Sequence, residues 1–278
     1  MNDKTKLGEE DIAWLKAYAE EVVNSFEGVF SDAKDRIKGS HRLIERFKAA
    51  IDEVLRNGRG NFRAVDEAHN ELCIAAALLQ NANPEFILIE YEPVLMGCAK
   101  TIDFRATTAD GLTYFIDVKT IKPAPTDRWE QFVKAQHGHW LPDNVQLMYS
   151  KEWLGGELWH NRFAARSRML EYALELEQKI ADCKLQADKT CFVLMLCGEG
   201  FYWDESELED FVSFYFTGTH RFDDPFSKME INYIDEEKLN LTRTISRFAC
   251  MNRPQGKVRL KRLNWSVKSP PVPSFLLT

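Results

Sequence analysis

The stretch AKTIDFRATTADGLTYFIDVKTI, residues 99–121, decides the fold. Two runs that favour strands, Ala99–Thr107 and Leu112–Ile121, flank the tripeptide Ala-Asp-Gly. A three-residue loop with glycine in the left-handed conformation is a common way to close a β-hairpin. We therefore predict an antiparallel hairpin in which Thr107 faces Thr113.

This register places Asp103 directly opposite Asp117, with Cβ atoms about 5 Å apart. Two facing carboxylates repel each other, and a divalent cation that takes oxygen ligands, such as Mg²⁺, offsets the repulsion. Lys119 points to the same face as Asp117 because side chains alternate along a strand. The other face is apolar and predicts a core contact through Ile102, Phe104, Ile116 and Val118.

Two acids and an amine at one point suit phosphodiester hydrolysis. A bound cation polarises the phosphate and lowers the pKa of an attacking water. Lys119 would position that water or offset the developing charge. The alternative is a surface ion-pair cluster without chemistry. We favour the catalytic interpretation because Asp103 and Asp117 face each other and an upstream helix carries a further glutamate.

The helix predicted over residues 62–80 carries two glutamates beside its apolar stripe. Glu67 and Glu71 interrupt a row that Ile74 and Leu78 otherwise keep apolar. A carboxylate at a buried face is costly unless it is paired or bound to a metal. The alternative is that both glutamates lie at the solvent margin of the helix.

Hydrophobic periodicity predicts the other elements. The predicted helices cover residues 12–30, 44–55, 62–80, 127–139, 157–183 and 206–216. The predicted strands cover residues 86–92, 99–107, 112–121, 191–197 and 257–263. The apolar run at 191–197 is typical of a strand buried on both faces. This order predicts an α/β fold with a central sheet and helices on its faces.

Asp103 in TIDF and the segment IDVK at residues 116–119 resemble the signature of the PD-(D/E)XK nuclease superfamily. The resemblance implies a restriction-endonuclease-like αβββαβ core with a mixed central sheet. It also implies that Asp103, Asp117 and Glu71 hold Mg²⁺, for which Mn²⁺ substitutes, and that these acids and Lys119 form the catalytic set. Within its helix Glu71 fits the pattern better than Glu67, because it precedes Ala-Ala-Ala-Leu-Leu at the helix end, and in similar proteins the glutamate lies about two turns before that end.

The sequence departs from the superfamily pattern at two positions. Ile102 stands where the proline of the motif would precede Asp103, and Asp117 stands where glutamate is more usual. Neither change removes a ligand. The resemblance covers roughly residues 62–200 and leaves both flanks unassigned.

The chain therefore divides into three predicted parts. A nuclease-like core at residues 61–218 lies between a helical N-terminal extension at 1–60 and a basic C-terminal α+β extension at 219–278. The N-terminal helices could serve as the contact for a homodimer or a protein partner.

The C-terminal segment is strongly basic. Nine of the 36 Lys and Arg residues, and none of the 43 Asp and Glu residues, lie at 238–278. This imbalance suits a surface that binds phosphate, and the alternative is a basic edge that balances an acidic body. On the first interpretation the nucleic-acid backbone is bound by Lys257, Arg259, Lys261 and Arg262. Phe248 and Trp265 would stack on unpaired bases.

Composition argues against several classes of protein. The longest apolar run, residues 191–197, is too short for a membrane-spanning helix, and the first ten residues lack the apolar segment of a secretory signal. Six cysteines without a CxxC pair predict free thiols rather than a zinc site or a disulfide framework. We therefore expect a cytoplasmic protein that does not bind membranes.

Together these features predict a Mg²⁺-dependent nuclease that acts on DNA. One alternative is a non-catalytic nucleic-acid-binding or scaffold protein that keeps the nuclease fold. Another is a small-molecule phosphohydrolase with the same metal site. The basic C-terminal segment disfavours the latter because it suits a polymeric substrate.

Overall fold

Parallel and antiparallel strand pairs are mixed in one six-stranded sheet, whose strands lie side by side in chain order. The structure, a computed structural model, describes residues 7–57, 63–95, 100–121, 165–183, 185, 189–199, 205–219 and 241–253. These residues form five helices and six strands.

The helices are α1 (Glu9–Asp32), α2 (Ser40–Asn57), α3 (Arg63–Gln80), α4 (Ala165–Cys183) and α5 (Glu205–Thr217). The strands are β1 (Ile37–Lys38), β2 (Phe86–Tyr91), β3 (Phe104–Thr108), β4 (Thr113–Thr120), β5 (Thr190–Glu199) and β6 (Arg247–Arg253). Each predicted element that falls on described residues is confirmed, with shifted ends. The predicted helix at 127–139 and strand at 257–263 lie outside the described residues.

The middle of the sheet is an antiparallel meander of β2, β3 and β4. The outer pairs are parallel: β1 with β2, β5 with β4, and β6 with β5. Helix α4 lies in the connection between the parallel strands β4 and β5, as such a connection requires. The prediction of an α/β fold with a mixed central sheet is confirmed.

Helices α1, α2 and α3 cover one face of the sheet. Along α1, Leu15, Tyr18, Val22 and Phe26 recur three or four residues apart and are buried. The amide of Gly8, just before the helix, donates to Asp11 Oδ2 at 3.0 Å. This bond satisfies one of the free N–H groups at the helix start. The predicted N-terminal helical segment is therefore packed onto the sheet.

Helices α4 and α5 cover the opposite face. Strand β5 shows both faces clearly, because Val193 and Met195 join the core beneath α1–α3 while Phe192 and Leu194 join the core beneath α4 and α5. All residues from 191 to 197 are buried. The prediction of a strand buried on both faces is confirmed.

The two flanking segments each add a strand to the sheet. β1 comes from the predicted N-terminal extension and β6 from the predicted C-terminal extension, and the sequence analysis missed both. The division at residues 60 and 218 stays a prediction. Phe248 of β6 is fully buried against the rings of Phe211 and Tyr215. Its predicted role in base stacking is therefore wrong.

Within the described part of the chain, no helix has the length and apolar character needed to cross a bilayer. The cysteines with free thiols there are Cys73, Cys191, Cys197 and Cys250. Cys183 is disulfide-bonded, so the prediction of six free thiols is wrong at this position.

Candidate active site

The hairpin forms in the predicted register. Thr107 faces Thr113 and Phe104 faces Ile116. The loop closes as predicted, with Gly111 at a φ of 82° and its amide donating to the carbonyl oxygen of Thr108 at 3.0 Å. The turn chemistry of the sequence therefore fixes how the two strands align.

Asp103 lies just before β3, at the end of the paired segment. Its Oδ2 accepts a hydrogen bond from the amide of Val118 at 2.6 Å, which places the carboxylate beside the β4 residues next to Asp117. Burial and the charge of Asp117 raise the pKa of Asp103 to about 7. The two aspartates are thus neighbours, as predicted.

One expectation about this hairpin is wrong. Ile102 does not share a core with Phe104 and Ile116, because it packs into the layer beneath α4 and α5. The strand begins only at Phe104, so strict alternation of side chains does not extend back to Ile102.

Asp117 is completely buried on the face of β4 that α4 covers. Its Oδ1 accepts a hydrogen bond from Lys179 Nζ of α4 at 2.6 Å. Its Oδ2 has no hydrogen-bond partner among the described residues and lies 3.5 Å from Lys119 Nζ. A buried carboxylate oxygen without a partner is costly, and a bound cation would remove that cost.

Lys119 is held between β4 and α4. Its Nζ lies 3.0 Å from a carboxylate oxygen of Glu175 and 5.8 Å from the ring centre of Tyr172. Burial lowers the pKa of Lys119, but the attraction of Asp117 and the bond to Glu175 outweigh it, so the pKa is raised overall. Lys119 therefore stays an ammonium group, which can orient water or offset phosphate charge but cannot accept a proton.

Glu71 of α3 is buried, whereas Glu67, one turn earlier, pairs with Arg63 at the helix margin. Glu71 Oε2 accepts from Arg46 Nη1 at 2.8 Å and from the Tyr91 hydroxyl at 2.7 Å. Burial and then the charge of Asp103 raise its pKa to about 8. The guanidinium of Arg46 is too open to solvent to reverse this shift.

The predicted catalytic residues occupy adjoining positions. Asp103, Asp117 and Lys119 lie together, and the charge of Asp103 also acts on Glu71. The described residues contain no group of three His, Cys, Asp or Glu side chains arranged to hold a metal ion. Mg²⁺ commonly binds proteins through only one or two carboxylates and keeps several waters. Asp103 and the Asp117 oxygen that accepts no hydrogen bond fit that requirement.

The predicted nucleic-acid-binding residues Lys257, Arg259, Lys261 and Arg262 lie outside the described residues.

Sequence reasoning missed four side chains at this site: Arg46, Tyr91, Glu175 and Lys179. Glu175 and Lys179 are one helical turn apart, so the sequence suggests an ion pair within α4. Instead each pairs with a residue of β4. Arg46 carries no signal, because it resembles any solvent-facing residue of an amphipathic helix.

A scan against protein-family models, a search of curated proteins and a search of solved structures found no match to this chain. The resemblance to the PD-(D/E)XK superfamily thus depends on the motif residues quoted above.

Proposed function

We propose that this chain is a metal-dependent nuclease that hydrolyses phosphodiester bonds in DNA and has a restriction-endonuclease-like core. The order α3-β2-β3-β4-α4-β5 supports the αβββαβ assignment. One observation carries the functional proposal: a fully buried Asp117 keeps an oxygen without a hydrogen bond, beside a second carboxylate and an ammonium group.

In this proposal Asp103 and Asp117 hold Mg²⁺ or Mn²⁺, with Glu71 as a third acid. Once bound, the cation polarises the phosphate and lowers the pKa of water. Lys119, which stays charged, orients the attacking water or offsets charge on the phosphate. Tyr172 and Glu175 restrict where the Lys119 ammonium can lie. Lys179, which binds the other oxygen of Asp117, would place a positive charge next to this cation.

Nicking of supercoiled plasmid tests this proposal. Wild-type protein should nick in Mg²⁺ and not in EDTA. Asp117→Asn should lower the rate at least about a hundredfold, as loss of a charge-stabilising group does. Asp182→Asn is the matched control, because Asp182 lies on α4 in an exposed pair with Lys100. The proposal fails if wild-type protein cleaves neither duplex, single-stranded DNA nor RNA, or if both variants cleave equally.

The alternative is a nucleic-acid-binding or scaffold protein that keeps the fold without catalysis. Two observations favour it: Lys179 already occupies Asp117 Oδ1, and Arg46 and Tyr91 already occupy Glu71. Such a protein should bind an oligonucleotide equally well with and without Mg²⁺. Calorimetric titration in each condition separates the two, since a nuclease whose cation contacts the phosphate binds more tightly when the cation is present.

The remaining expectations belong to the same proposal. Lys257, Arg259, Lys261 and Arg262 would bind the DNA backbone. A homodimer or protein-partner contact through α1 and α2 would use their polar faces, since the apolar faces are packed against α3.

A further inference from the structure

The guanidinium group of Arg46 donates hydrogen bonds from only some of its nitrogen atoms to the described residues. Its Nη1 donates to Glu71 Oε2 and to the Tyr91 hydroxyl, each at 2.8 Å. A guanidinium carries five N–H donors, and these two bonds use those of Nη1 alone. Among the described residues, no acceptor binds Nε or Nη2 of Arg46.

The two ends of this ion pair also differ in exposure. The side chain of Glu71 is 5% exposed and that of Arg46 is 43% exposed. One edge of Arg46 therefore faces a buried acid, and the donors without a partner belong to a side chain largely open to solvent.

Arg42 lies one turn earlier on α2 and contacts the same tyrosine. Its Nη2 donates to the main-chain oxygen of Tyr91, and its guanidinium lies 5.7 Å from the centre of the Tyr91 ring. Its ion pair with Glu92 is long, at 3.4 Å, and exposed. Such a pair contributes little and is easily exchanged for another anion.

We propose that Arg46, together with Arg42, binds phosphate groups of a nucleic-acid backbone at the entrance to the candidate active site. The inference rests on the proposed function, which brings a nucleic acid to this face of the molecule. The planar fork of a guanidinium matches two phosphate oxygens.

Charge explains why such residues are needed here. The chain has a formal net charge of −7, and three of its acids, Asp103, Asp117 and Glu71, lie near this position. A polyanion is repelled by this surface unless cations stand close to the acids. Arg46 fulfils that condition, since Asp103 is among the charges that stabilise its cationic form.

A purely structural role would look different. If Arg46 only neutralises Glu71, its loss changes stability and leaves the salt dependence of DNA binding unchanged. If it binds phosphate, its loss removes one counterion-releasing contact.

The experiment compares Glu71→Gln with the double variant Arg46→Met/Glu71→Gln. The first change removes the buried carboxylic acid, so the second does not leave that acid without its partner. Fluorescence anisotropy with a short labelled duplex in EDTA gives the dissociation constant over a series of KCl concentrations. We expect the double variant to bind about three- to tenfold more weakly and its salt slope to be smaller by about one.

Lys48→Met is the control for loss of a positive charge on α2, because Lys48 pairs with Glu27 and makes no contact with Tyr91 or Glu71. It should keep the slope of the wild type. Equal slopes for the single and double variants, or no binding by either, overturn the inference. Plasmid nicking by wild-type protein separates the inference about Arg46 from the proposed function. If wild-type protein nicks but the two variants have equal salt slopes, only the phosphate contact is rejected. If the salt slope changes but wild-type protein does not nick, only the nuclease proposal is rejected.

Discussion

Asp117 is completely buried, and two lysines contact its carboxylate. Lys179 provides the shorter contact, at 2.6 Å, and Lys119 the longer, at 3.5 Å. A buried carboxylate is costly unless it is paired. The two lysines offset that cost, and under the proposed function they would also compete with the metal cation for the carboxylate.

Glu71 gives a prediction about pH. Its pKa is about 8 in the folded protein, above the ordinary value of 4.5. Because the pKa of Glu71 is higher in the folded state, the folded protein binds more protons than the unfolded chain between these two pH values. The stability that Glu71 contributes is therefore fully present below pH 4.5 and is lost as pH rises through 8. In Glu71→Gln that loss is absent. In EDTA, the variant should therefore gain stability relative to wild type between pH 5 and pH 8.

Urea unfolding at both pH values measures this effect. Glu67→Gln is the matched control on the same helix face, since Glu67 is paired with Arg63 near solvent. Its stability should follow that of wild type at both pH values. If the free energy of unfolding changes with pH by the same amount in Glu71→Gln and in wild type, the raised pKa of Glu71 is refuted.

The positions of Asp103, Asp117 and Lys119 could be predicted from the sequence because they depend on a short local segment. A tight turn at Gly111 fixes the register, and alternation then decides which side chains meet. Sequence reasoning could not predict where Lys179 or Arg46 lies, because their positions depend on how α4 and α2 pack. Two residues far apart in the chain meet only through tertiary structure.

At the scale of elements, α4 does more than cover β4 with apolar side chains. Its Lys179 and Glu175 also pair with charged residues of β4. Lys179→Met removes the hydrogen bond to Asp117 and should lower the free energy of unfolding by about 1–3 kcal/mol in EDTA. It also removes a competitor for the carboxylate. We therefore expect Mg²⁺ to raise the melting temperature of this variant more than that of wild type.

Thermal unfolding with and without Mg²⁺ tests both statements. Lys100→Met is the control, because Lys100 pairs with Asp182 of the same helix at an exposed position. Exposed pairs contribute at most about 1 kcal/mol, so this variant should respond to Mg²⁺ as wild type does. An equal Mg²⁺ response in Lys179→Met would show that the ammonium does not compete.

Tyr215 connects α4, α5 and the segment before β6. Its hydroxyl donates to buried Glu177 and accepts from the amide of Ile245 at 3.0 Å. Tyr215→Phe leaves both groups without this partner, and we expect a loss of about 2–4 kcal/mol. Tyr172→Phe removes only a 3.3 Å bond to Thr120 and should cost about 1 kcal/mol or less. Chemical denaturation compares them, and equal losses would contradict the proposed importance of this network.

The sequence predicted long elements well and short ones poorly. Strand β1 has two residues, so it shows no periodicity, and it forms because Ile37 pairs beside Ile89. Strand β6 has a short apolar run between two arginines, and its pairing with β5 makes it a strand. Both are decided by contacts distant in sequence, which patterns of this length do not encode.

At the scale of the whole molecule, the candidate site draws on both layers around the sheet. Glu71 and Arg46 belong to helices on one face, whereas Lys179 and Glu175 belong to α4 on the other. Asp103, just before β3, interacts electrostatically with Glu71 on one side and with Lys179 on the other. Helix α2 of the predicted N-terminal extension therefore contributes Arg46 to the site as well as apolar residues to the core.

Among the strands that the structure describes, β1 and β6 lie at the two edges of the sheet, and they come from the predicted N-terminal and C-terminal extensions. A fragment limited to residues 61–218 would leave β2 and β5 with bare N–H and C=O groups, a template on which further molecules can add as strands. We expect that fragment to aggregate while the full chain stays monodisperse in light scattering. A monodisperse fragment would refute this protective role. The two flanking segments would thus prevent self-association, and a chain trimmed to the predicted core would lose solubility first.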